Sequence, residues 1–199
     1  MARRKERGGN DPREDGAPQL GPKLRALRAE RGLSLATVAR DTGISSSFLS
    51  LVENGTSDIS FGRLHRLVDY YGVHITDLLD EPKDPVDVEG LIRAGSEPHL
   101  RSAGEGIDLY LLARDTERRM LPLLSVLAPG AATTDWEGHD GEEFVHVLQG
   151  SVEIRLKGRQ PVVLRKGDSL YYGGRDPEAM RNPTSREARL FVVISPPIL

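Results

Sequence analysis

The run LSLATVARDTGISSSFLSLVENG, residues 33–55, decides how the first half of this chain folds. Its apolar residues recur at steps of three and four, as Leu35, Val38 and Ala39 and then as Phe48, Leu49 and Val52, which is the period of one helix face. Ser34 stands just before the first series and Ser45 before the second, where a side-chain oxygen can satisfy the free N–H groups of a helix start. Gly43 lies between the two series, at the place where a chain leaving a helix needs positive φ. Ile44 plugs the turn. Two short helices joined this tightly have helix-turn-helix geometry.

The same punctuation extends outward. Leu20, Leu24 and Leu27 recur at i, i+4 and i+7, Ser60 or the turn at Asp58 can start a further helix, and Gly32, Gly55 and Gly72 stand where helices should end. The spacing predicts five short helices, at about 20–31, 35–42, 46–53, 59–71 and 74–79. On the second helix of the central pair, Leu49 and Val52 face inward. Its other face presents Ser46, Ser47 and Ser50, short donors and acceptors able to approach base edges in a major groove.

The chain of 199 residues has length for two small domains. Its composition, 38% hydrophobic and 29% charged, is that of a globular protein rather than a fibrous or membrane one. No stretch approaches the ~20 apolar residues of a spanning helix, and the start MARRKERGGN lacks the apolar run of a secretory signal. The expected address is cytoplasmic, with no membrane partner. Cysteine is absent, which excludes disulfides, thiolate nucleophiles and cysteine metal sites. The net charge of −3 hides an asymmetry, because residues 1–31 hold nine basic against five acidic groups. Residues 1–18 carry almost no apolar side chains and read as a disordered basic arm.

After residue 80 the pattern breaks at EPKDPVDVEG, which reads as the start of a linker over 81–95. Beyond it the period becomes two. IDLYLLAR, LLSVLA, EFVHVL, SVEIRL, PVVL, SLYY and ARLFVVI are strand-like runs separated by glycine, proline or charged turns. Strands at this spacing suggest a small sandwich or barrel. Gln149-Gly150, between EFVHVL and SVEIRL, is a tight-turn candidate. Strict alternation puts Phe144, His146 and Leu148 on one face of their strand and Glu143, Val145 and Val147 on the other.

The run from Leu24 to Gly55, followed by a helix and GVHITDLL, closely resembles the repressor-like helix-turn-helix domain of the Xre family of bacterial regulators. The resemblance rests on Leu24, Leu27 and Arg28, on Leu35 and Ala39, on Gly43, Ser47, Leu49 and Ser50, on Glu53-Asn54-Gly55, and on Leu64 and Gly72. It implies an all-α five-helix domain over residues 19–80 that binds double-stranded DNA. Ser46, Ser47 and Ser50 would then face bases, with Thr37, Arg40, Asn54 and Thr56 placed toward the backbone. Leu51 departs from the longer polar residue that relatives often carry. Glu53 reads as a hydrogen-bonding residue internal to the domain.

Residues 96–199 resemble the cupin family, small antiparallel jelly-roll β-barrels. The first cupin motif runs from a glycine through His-x-His, a glutamate and a second glycine; here the series is Gly130, Glu137, His139, Glu143 and Gly150. The second motif runs from Gly167-Asp168 to Asn182, with Glu178 where relatives usually carry histidine. Glu137, His139, Glu143 and Glu178 would thus be the metal set, with one imidazole among carboxylates that suit a hard divalent cation. Without a cation, three carboxylates together would raise one another's pKa, so either a divalent metal neutralises them or some point elsewhere. Tyr110, Trp136, His139, Glu143, Tyr172 and Met180 are candidates to line an effector pocket.

Together the resemblances imply a one-component transcription regulator, a homodimer whose cupin domain binds a small-molecule effector or carries the dimer contact. It would not be an enzyme. The alternative is an iron-dependent oxidase or epoxidase with an appended helix-turn-helix domain; that chemistry uses two histidines and one glutamate, and Glu178 replaces one of the histidines. A third reading is a structural DNA-binding dimer with a degenerate barrel.

Overall fold

The structure is a computed structural model that describes residues 20–79, 90–102, 105–114, 118–133, 139–175 and 178–197. The arm over 1–18 lies outside them, as do residue 80, residues 81–89 of the linker, Trp136 and Glu137. Four α-helices come first: α1 (Leu20–Glu30), α2 (Leu35–Thr42), α3 (Ser46–Glu53) and α4 (Phe61–Tyr71). The fifth expected helix is a single 3₁₀ turn, Ile75–Leu78. Four residues are too few for a ladder of i→i−4 bonds. Instead the Asp77 N–H donates to the His74 carbonyl at 3.0 Å to close one turn, and the Asp77 carboxylate caps it by accepting the His74 N–H at 3.0 Å.

Local chemistry explains the joints. Ser34 accepts the Thr37 N–H at 3.0 Å and caps α2, and Ser45 accepts the Phe48 N–H at 3.3 Å and caps α3. Gly43 ends α2 at φ +73°, where a side chain would be strained. Of the periodic residues, Leu24, Val38, Leu49 and Val52 are buried, together with Ile44, Leu64 and Leu67, while Leu20, Leu27, Leu35, Ala39 and Phe48 are partly buried against them. Gly21 lets α1 lie against the end of α3, because a Cβ there would collide with the Val52 carbonyl.

Among the described residues the second half has nine strands: β1 (His99–Ser102), β2 (Ile107–Leu111), β3 (Leu121–Leu127), β4 (Glu142–Gln149), β5 (Ser151–Leu156), β6 (Val162–Arg165), β7 (Ser169–Gly173), β8 (Glu178–Arg181) and β9 (Ala188–Ser195). They form a six-stranded sheet ordered β1-β2-β3-β9-β4-β7 and a three-stranded sheet ordered β6-β5-β8. The expected closed barrel is not formed. Edges remain at β1 and β7 in one sheet and at β6 and β8 in the other, and β1, β6 and β8 are only four residues long. A barrel needs every strand paired on both sides; here only the isolated bridge between Ala132 and Arg181 lies outside the named strands.

Gly150 has the positive φ expected at a tight turn, but it does not close a hairpin. The strands on either side of it belong to different sheets, so the glycine is where the chain crosses between layers. At φ +74° it passes so near Glu187 and Ala188 that a Cβ would meet the Glu187 carbonyl at 2.7 Å. Inward residues Val145, Val147, Val152, Ile154, Leu190 and Val192 are each at most 3% exposed, and they make up the apolar interior of the two layers. Asn182, fully buried, ties the loop after β8 to the end of β3, donating from Nδ2 to the carbonyls of Leu127, Ala128 and Arg186 at 3.1, 3.0 and 2.7 Å.

Candidate functional site

In α3 the sequence divides cleanly between two faces. Leu49, Val52 and Glu53 are buried, while Ser46, Ser47, Leu51 and Asn54 are exposed and Ser50 is half-buried. The bonds recorded for the serine hydroxyls are short-range and long: Ser45 and Ser47 Oγ atoms lie 3.3 Å apart, and Asn54 Nδ2 donates to Ser50 Oγ at 3.5 Å. Such contacts are near the limit of a hydrogen bond, so these hydroxyls can exchange them for a base edge. The helix is held rigid from its inner side. Arg28 grips Glu53 with two parallel bonds, Nε to Oε1 at 2.7 Å and the second guanidinium nitrogen to Oε2 at 2.8 Å, and donates to the Leu33 carbonyl at 2.9 Å. Glu53 thus belongs to the domain interior.

Three other predicted contacts lie around α3. Thr37 is half-buried, with its hydroxyl 2.9 Å from that of Ser34, so it belongs to the α2 cap. Arg40 is exposed and paired with Asp41 at 2.8 Å. That hydrogen bond, with a second from the Tyr70 hydroxyl, holds the Asp41 carboxyl below its ordinary range, so a phosphate has to compete with Asp41 for the guanidinium. Thr56 is exposed but spends its hydroxyl on the Leu51 carbonyl at 3.0 Å. The structure adds a cation that sequence reading missed. Arg63 of α4 lies over the Phe48 ring, 4.8 Å from its centroid, beside the reading helix. The two residues are fifteen apart on different helices, and no periodicity pairs them.

In the β domain, β4 turns Glu143 inward, where it is 4% exposed, and His146 outward, where Nδ1 lies 2.8 Å from Ser169 Oγ. His139 comes from the segment before β4. Its Nε2 lies 3.4 Å from Glu143 Oε2 and its Nδ1 3.0 Å from the Asp140 carbonyl oxygen. Gly174 makes the space, since a Cβ there would collide with the imidazole, and its carbonyl accepts the His139 N–H at 2.6 Å. A carbonyl can only accept, and a carboxylate accepts, so both ring nitrogens are satisfied together only in the protonated ring. The Glu143 hydrogen bond raises the His139 pKa above its usual value; burial opposes this and the Asp140 carbonyl supports it.

Among the described residues no group of three His, Asp or Glu side chains is placed to hold an ion. Glu137 lies outside those residues, and Glu178 is placed only by its backbone, on β8 of the smaller sheet. Of the expected ligand set, the described side chains are thus those of His139 and Glu143, which face each other. Of the predicted pocket residues, Tyr172 sits directly across from Glu143 in the β4–β7 register and is buried. Met180 is buried on β8 in the other layer. Tyr110 does not join them. It alternates with the inward Leu111 on β2 and stacks on the His99 ring at 4.5 Å, the two rings 7° from parallel.

Comparison with known proteins places both halves. Residues 19–81 match the family described as Helix-turn-helix domain, and residues 123–194 match the family described as Cupin domain. The HTH-type transcriptional regulator PuuR of Escherichia coli strain K12 is 24% identical over 177 residues, which span 88% of this chain and 94% of that protein. The HTH-type transcriptional regulator DdrOP3 of Deinococcus deserti is 40% identical over 62 residues, 31% of this chain and 48% of its own length. Among solved structures, an HTH_3 family transcriptional regulator from Vibrio cholerae shares the fold over 89% of this chain and 95% of its own, with a TM-score of 0.62 at 19% identity. Among the described residues no helix is long and apolar enough to cross a membrane. The chain is an N-terminal Xre-like helix-turn-helix domain, which implies DNA as a partner, fused to a C-terminal cupin domain, an architecture consistent with a one-component transcription regulator.

Proposed function

We propose that this protein is a sequence-specific DNA-binding regulator in which α3 lies in the major groove and the cupin domain binds a small-molecule effector, carries the contact of a homodimer, or does both. The observation that carries the reading is the exposed serine face of α3, set on a helix whose other side is fixed by buried apolar residues and by the Arg28–Glu53 pair. Exposed hydroxyls on a rigid helix are preorganised for base edges. Arg40 and Arg63 flank that helix as cations able to meet phosphates.

The reading takes the protein as a binder rather than an enzyme, because the pattern positions supply His139 as their one imidazole, with Glu137, Glu143 and Glu178 as the others. An iron oxidase site of two histidines and a carboxylate is not reproduced by that set. An effector would act through different affinities for two states of the protein.

Selection of bound duplexes from random sequence by the full chain, at moderate salt, tests the proposal. The expected product is a motif of two related half-sites about one helical turn, ~34 Å, apart or a multiple of it. A pool with no enriched sequence contradicts DNA reading. Small molecules that raise the melting temperature are then added to the selected duplex; unchanged affinity with every such molecule contradicts the effector coupling.

A further inference from the structure

Leu51 is the one large apolar side chain exposed on α3, at 48%, while its apolar neighbours Leu49 and Val52 are at most 3% exposed. It stands four residues after Ser47 and three before Asn54, hence on the same face of the helix as both. It is not among the partly buried hydrophobic residues that pack against the core. Its backbone, in contrast, is fixed. The Leu51 carbonyl accepts two bonds from Thr56, one from the N–H at 2.9 Å and one from the hydroxyl at 3.0 Å. Carbonyls in the last turn of a helix otherwise lack partners and the turn frays. The pair of hydrogen bonds from Thr56 therefore presents Leu51 on stiff backbone.

A leucine cannot read a hydrogen-bonding edge. The major groove offers one apolar feature, the C5-methyl group of thymine. We propose that Leu51 is a specificity-determining residue that selects a thymine by packing on its methyl group, with Thr56 as the positioning residue that holds it in register. This rests on the assignment of α3 as the reading helix.

The test uses the full chain and the half-site it enriches from random DNA. Each thymine is replaced singly by deoxyuridine, which removes one methyl and leaves every hydrogen-bonding group in place. One position per half-site is expected to weaken binding by about fourfold, the weight of one buried methyl group. With Leu51→Ala or Leu51→Gln the same replacement is expected to change nothing, both variants melting like the parent, whereas Leu51→Met keeps the sensitivity. Thr56→Val is expected to reduce it. An enriched motif without any methyl-sensitive thymine, or a sensitivity that persists in Leu51→Ala, overturns the proposal and leaves the DNA-reading assignment standing. A chain that enriches no sequence overturns both.

Discussion

Two polar clusters of this protein, the serine face of α3 and the His139–Glu143 pair before and on β4, are built in opposite ways. The serine face points outward, and its internal bonds are long ones of 3.3 and 3.5 Å that a ligand can displace. His139 and Glu143 point inward, their side chains 10% and 4% exposed, and face each other at 3.4 Å, so burial and not bond length sets this pair apart. Polar groups that complete one another within the fold contribute to its stability, whereas polar groups held rigid but left in water are available to a partner. The difference separates recognition from structure even within one helix, since α3 carries the inward Glu53 next to the outward Asn54.

The largest expected effect comes from breaking an inward partner. Glu53→Ala leaves the Arg28 guanidinium, 17% exposed, without its carboxylate. Loss of a buried partner of this kind costs about 3 kcal/mol, to be read as a lower midpoint in urea unfolding. If the midpoint is unchanged, the ion pair does not hold α3. Outward substitutions should behave otherwise. Ser47→Ala and Ser50→Ala should each cost roughly 1–3 kcal/mol of discrimination between the selected base and its competitors while shifting stability by less than ~0.5 kcal/mol, as read from competition binding and thermal melting. Arg40→Ala should weaken every sequence alike and lower the salt slope by about one. A change in base preference instead would move Arg40 from the phosphates to the bases.

The smallest effect is electrostatic. The folded His139 pKa lies above its unfolded value, so its stabilising contribution is complete below the unfolded pKa of about 6.5 and fades as pH rises through the folded value. Melting temperature in the parent should fall over that window relative to Glu143→Gln, in which the dependence should be flattened. Parallel curves for the two proteins would show that the pair does not titrate as a unit.

Much of the helical domain was legible because its signals are local. Ser34, Gly43 and Ser45 each act within four residues of themselves, and so the boundaries of α2 and α3 follow from residue type alone. The fifth helix failed on length, since the period through Ile75, Leu78 and Leu79 cannot reveal that Asp77 closes a single turn. The β domain depends on distant partners. Glycine at 150 signals a reversal, but whether the next strand joins the same sheet is set by what β5 meets, namely β6 and β8. Four-residue strands such as His99–Ser102 and Glu178–Arg181 carry too little alternation to be seen. At the His139 site the spacing to Glu143 was visible in the motif. Its character as a mutually satisfied pair depends on the Asp140 carbonyl and the space left by Gly174, neither of which the spacing contains.

The central claim is that the outward face of α3 discriminates among DNA sequences. Its most direct test is side-by-side selection from one random duplex pool with the parent chain and with a Ser47→Ala/Ser50→Ala double variant, both checked for equal melting temperature. A defined motif is expected for the parent and a flattened or altered one for the variant at unchanged stability. An identical motif enriched to the same degree by both proteins would contradict it.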